Sequence, residues 1–112
     1  MKRRGPRLFV ACAIGVAAVA VPVAASQAAG TTVTLRDIAF APKNLSIARG
    51  TTVTFAWRDG DTAHNVVSKG TRRFKPIGIR ETGSQPRTLT RAGTYRYVCT
   101  LHPGMAGRIT VR

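Results

Sequence analysis

The chain has 112 residues, with 18 Lys and Arg against four acids, a formal net charge of +14. That length allows one domain at most, and two cysteines are too few for a disulfide framework. The charge favours acidic partners, anionic lipid or nucleic acid through long-range attraction and carries no information about fold.

Lys2, Arg3, Arg4 and Arg7 make a basic start, and an uncharged stretch rich in Ala and Val runs from Leu8 to Ala29. Small residues at Ser26 and Ala28 complete the layout of a secretory signal peptide, with cleavage expected after Ala28. The most apolar part, Leu8 to Val21, is short for a membrane span and is followed by Pro22. Residues 1–28 are therefore expected to be a signal and 29–112 an exported domain, periplasmic or extracellular at the cell envelope. The domain keeps 14 Lys and Arg against Asp37, Asp59, Asp61 and Glu81, a net of about +10. With Cys12 removed, Cys99 has no partner for a disulfide, and an unpaired thiol in an exported domain calls for a reason.

From Thr31 onward the hydrophobic period is two. Val33 and Leu35 alternate with polar neighbours, then Val53, Phe55 and Trp57, then Tyr95, Tyr97 and Cys99, and finally Ile109 and Val111. This alternation predicts strands with one buried face, and no helical period is sustained. Turn signals separate the runs at Ala41-Pro42-Lys43-Asn44, Arg49-Gly50, Asp59-Gly60-Asp61, Lys69-Gly70, Gly83-Ser84-Gln85-Pro86, Ala92-Gly93 and Pro103-Gly104. The pattern predicts an all-β antiparallel sandwich or barrel. Lys69 to Thr88 is the least regular segment and is expected to be a long loop with one short strand. Cys99 shares parity with Tyr95 and Tyr97, so its thiol is expected to point inward.

Cys99-Thr100-Leu101-His102-Pro103-Gly104-Met105 places a thiolate, an imidazole and a thioether within seven residues. Sulfur donors suit copper(I), and imidazole suits both copper states. The only other histidine is His64. The domain thus has one Cys, two His and one Met, and all four belong to this set. Two His and one Cys with a weak Met is the donor set of blue copper. Structural zinc uses Cys, His and carboxylate ligands rather than Met, and an iron–sulfur cluster needs several cysteines. A binuclear copper centre needs a second cysteine.

The segment from Gly93 to Met105, with Gly107-Arg108-Ile109-Thr110-Val111 after it, resembles the C-terminal end of cupredoxins, type 1 blue-copper proteins. The two-residue gap between His102 and Met105 is similar to that of amicyanin, whereas plastocyanin and pseudoazurin carry longer loops. Gly50 to Trp57 and His64-Asn65-Val66 resemble the family's central and first-ligand strands. The resemblance implies a Greek-key β-sandwich of about seven or eight short strands. It implies copper ligation by His64, Cys99, His102 and Met105, with Asn65 tying the ligand-bearing segments together. Leu101 stands where family members often have Pro.

The expected function is a single-electron shuttle without catalytic residues, acting as a monomer between a redox donor and acceptor. Copper storage, delivery or resistance through the same site is the alternative. His102 is expected nearest the surface, with Leu101 and Pro103 as an apolar docking patch. Arg72, Arg73, Lys75, Arg80 and Arg87 could steer an acidic redox protein or an anionic membrane surface. No recognition motif accompanies the charge, so nucleic acid is not an expected partner.

Overall fold

A computed structural model describes residues 30–112; residues 1–28, expected from the sequence to be a signal, lie outside the described residues. Nine strands follow in order: β1 (Thr31–Arg36), β2 (Ala39–Ala41), β3 (Asn44–Ile47), β4 (Thr51–Trp57), β5 (His64–Lys69), β6 (Ile77–Arg80), β7 (Ser84–Leu89), β8 (Gly93–Val98) and β9 (Ala106–Val111). They form a four-stranded sheet, β2-β1-β4-β7, packed on a five-stranded sheet, β3-β9-β8-β5-β6. Among the described residues there is no helix.

The alternation of apolar residues reappears as one buried face per strand. Val33, Leu35, Val53 and Phe55 come from the first sheet, and Val66, Tyr97 and Ile109 from the second; all are fully buried. Tyr97 lies at the centre, with edge-to-face contacts to Phe40 at 4.8 Å and Phe55 at 5.5 Å. Aromatic pairs in this geometry add to what burial alone supplies.

The sheets are not purely antiparallel. β1 runs parallel to β4, and β3 runs parallel to β9. The chain leaves the first sheet after β2, passes the cis Ala41–Pro42 peptide and enters the second sheet as β3. That crossing sets β3 beside the last strand instead of the next one, a pairing that side-chain periodicity does not encode.

The expectation of one short strand between Lys69 and Thr88 is corrected: β6 and most of β7 both fall there. β7 pairs antiparallel with β4 over six residues, with Pro86 opposite Thr54. As the edge strand of its sheet, β7 tolerates a proline whose missing N–H would interrupt a central ladder. Phe74, in the connection before β6, enters the core against Phe55 and Tyr97.

Candidate metal centre

β4, β5 and β8 converge at one end of the sandwich. His64 opens β5, and its imidazole is wholly buried. Cys99 follows the last residue of β8, and its thiol points inward as parity requires, 3% exposed. His64 Nδ1 lies 3.7 Å from Cys99 Sγ, and the donor atoms of His64, Cys99 and His102 all lie within 4.8 Å of one another. Metal bonds of about 2.0 Å to imidazole and about 2.3 Å to thiolate, at about 120° to each other, separate nitrogen from sulfur by about 3.7 Å. The spacing therefore fits a single ion between His64 and Cys99.

The turn after Cys99 brings the remaining donors back. The Met105 amide donates to the His102 carbonyl (3.1 Å), and the Cys99 amide donates to the Met105 carbonyl (3.0 Å), which closes the loop on itself. Gly104, with φ of 87°, supplies the left-handed residue that reverses the chain. Met105 is buried, so its thioether is on the core side of the loop. His102 is half-buried, the most exposed of the four, as expected. Leu101 stands outside at 41% exposure.

Hydrogen bonds orient both imidazoles. His64 Nε2 is 2.7 Å from Asp59 Oδ2. The carboxylate accepts, so the proton sits on Nε2 and the lone pair of Nδ1 faces Cys99. His102 Nε2 lies 3.1 Å from the Ala63 carbonyl, which likewise assigns the proton to Nε2. Such an outer partner fixes the tautomer and raises the basicity of a metal-binding imidazole. The His64 carbonyl accepts from the Trp57 indole at 2.9 Å, which secures the start of β5 against β4.

Asn65 joins the two segments as expected. Its side-chain NH₂ donates to Thr100 Oγ1 and its oxygen accepts from the Thr100 amide, both at 2.8 Å. β5 and the loop are thus bolted together one residue beyond His64 and one beyond Cys99.

Asp59 is the functional residue that sequence reasoning passed over as part of a turn. Besides His64, its carboxylate accepts from the amides of Asp37 (2.9 Å) and Ile38 (3.0 Å), the two residues of the β1–β2 turn. Both have φ of 53°, which is uncommon for a β-branched residue such as Ile38. The His64 hydrogen bond, and then the Ile38 amide, hold the Asp59 carboxyl below the usual carboxylate range, against the opposing effect of desolvation. A carboxylate five residues before a lone histidine, across a Gly turn, was the available signal.

Among the described residues, a His-Cys-His cluster with two buried members, half-buried His102 and a neighbouring buried Met at the end of a β-sandwich defines a copper-site class of protein. The family model for copper binding proteins of the plastocyanin/azurin family matches residues 27–112, and the chain belongs to that family. The structure is similar to a purple cupredoxin from Nitrosopumilus maritimus, at 25% identity and a TM-score of 0.66, covering 73% of this chain and 99% of that one. It is also similar to an amicyanin variant in its reduced state, at 29% identity and a TM-score of 0.65, covering 74% of this chain and 82% of that one. A second amicyanin variant, in its reduced Cu(I) form, covers 82% of this chain and 86% of its own at 25% identity, with a TM-score of 0.63. No curated protein sequence matches the chain. The cofactor of the family is copper, and the donors assembled here fit one such ion.

Proposed function

We propose that the protein is an exported single-electron carrier whose copper is held by His64, Cys99 and His102, with Met105 as the weak fourth ligand. The observation that carries this reading is the convergence of three donor atoms within 4.8 Å in a site formed by the protein alone. Copper supplies a one-electron change between its two oxidation states. The chain supplies resistance to rearrangement: Asp59 and the Ala63 carbonyl hold the imidazoles, and Asn65 holds the loop. Rigid supporting contacts keep donor positions alike in both states.

His64, Cys99 and Met105 are all at least 97% covered, which favours retention over delivery. Half-buried His102 offers an edge for electron passage, with exposed Leu101 and Pro103 beside it. Redox partners of acidic character match the charge of the domain, and the basic, apolar and small-residue order of residues 1–28 supports export.

Copper(II) added to the copper-free protein should produce an intense thiolate-to-copper absorption band, with electron paramagnetic resonance reporting how planar the site is. The position of the band separates a blue site from a purple one. Cys99→Ser should abolish the band. A pale copper spectrum, or one that Cys99→Ser leaves unchanged, would sink the assignment, and stopped-flow oxidation and reduction then separates carrier from store.

A further inference from the structure

The outer face of the five-stranded sheet carries charges in an order that sheet stability disfavours. Arg108 of β9 lies directly opposite Arg96 of β8, and Arg96 lies opposite Lys69 of β5. All three are exposed, and Lys43 joins them beside β9, where its carbonyl accepts from the Arg108 amide. Like charges directly opposite weaken a sheet. The acids Asp37, Asp59, Asp61 and Glu81 are absent from the depressions described next, so nothing in those linings offsets the row.

One step nearer the ligand loop the cross-strand row is apolar: Ala106, Val98 and Val67, all half-buried. Two surface depressions meet at Ala106. One, of about 370 Å³, is bounded by Lys69, Cys99, His102 and Met105 among others; the second, of about 300 Å³, is lined by Lys43, Arg96 and Arg108 among others. The cationic row therefore adjoins the depression that reaches half-buried His102 and the loop covering the other candidate ligands, with Val98 preceding Cys99 in the chain.

We infer that this face is the docking surface for an acidic redox protein. Lys69, Arg96 and Arg108 receive the partner's carboxylates, and the Val98–Ala106 strip is covered on contact. The inference rests on the electron-carrier reading and adds the side from which the partner approaches. Arginine suits carboxylates because its planar fork can bind both oxygens. A membrane surface fits less well, because the strip contains only Ala and Val and no aromatic side chain to enter the lipid interface.

The test uses the copper(II)-loaded protein and a reduced c-type cytochrome of net negative charge, mixed by stopped flow at low ionic strength. One electron leaves the haem iron, which becomes ferric, as copper(II) becomes copper(I). The wild-type rate should fall steeply with added salt. Lys69→Gln/Arg96→Gln/Arg108→Gln should slow it about tenfold or more and remove most of its salt dependence. Arg49→Gln/Arg91→Gln/Arg112→Gln, which loses the same charge from exposed residues lining neither depression, should slow it less than about threefold.

Reduction by uncharged hydroquinone should be the same in all three proteins. If hydroquinone reduces every protein but the row variant keeps the wild-type cytochrome rate, or the control slows equally, the docking surface is refuted while the carrier reading stands. Wild-type protein that neither reagent reduces overturns both. Loss of binding to phosphatidylglycerol vesicles in the row variant, with its cytochrome rate intact, reassigns the face to lipid and refutes the proposal.

Discussion

Replacing Asn65 with alanine removes two hydrogen bonds of 2.8 Å at once, both to Thr100. A net value of about 0.5–1.5 kcal/mol per bond, and the small void left by a side chain 9% exposed, give a loss of about 2–3 kcal/mol in the copper-free protein. For a domain of this size that corresponds to roughly 10–20 °C in Tm. Thr100→Ala removes the hydroxyl but keeps the amide bond to Asn65, so it should cost only about 1 kcal/mol. The double variant should then show a coupling of about 1 kcal/mol between the two side chains. The assay is urea unfolding followed by the fluorescence of Trp57, the one tryptophan and 2% exposed. The midpoint should move while the slope stays constant. An Asn65→Ala loss below about 0.5 kcal/mol, or zero coupling in the cycle, would refute the claim that this pair bolts the ligand loop to β5.

Tyr97 offers the opposite sign. Its hydroxyl is fully buried with no hydrogen-bond partner among the described residues, and burial holds its pKa well above the ordinary range. Tyr97→Phe should stabilise the protein by about 1 kcal/mol, and a loss of that size by calorimetry would reveal a partner for the oxygen. Gly107→Ala would set a methyl group 2.5 Å from Tyr97 Cζ, so a loss of about 1–3 kcal/mol is expected in denaturant titration. Asp59→Asn should cost about 1 kcal/mol near neutral pH, because an amide cannot accept from all three donors. The folded pKa of Asp59 is lowered, so its ionised contribution is full above about pH 4 and disappears as pH falls through the folded value. Melting curves of the two proteins should converge in acid, and a gap that persists there would assign the effect to packing.

The strands that reach the core were legible because their inward residues are large and apolar. Tyr95, Tyr97 and Cys99 share one parity, and that alone aimed the thiol inward before any fold was known. β7 was hidden for the converse reason: Gln85 and Arg87 turn half inward on an edge strand, so its alternation is of exposure and not of hydropathy. The parallel pairings were also invisible, since the same alternation serves either direction. Within the site, Cys99, His102 and Met105 are local in sequence and were readable from spacing. Asp59 was not, because two of its three partners come from a turn more than twenty residues away.

The ligand loop is closed by backbone and Asn65 hydrogen bonds, and Cys99 lies 3% exposed beneath it. The contacts that keep the donors ready for metal therefore also conceal the described region's only thiol. Oxidants and a second chain's cysteine both need access to the sulfur, so a folded molecule waiting for copper is shielded from overoxidation and from disulfide-linked dimers. An unfolded chain has no such cover. Its safe course is to fold first and load afterwards, and the loop makes that order available.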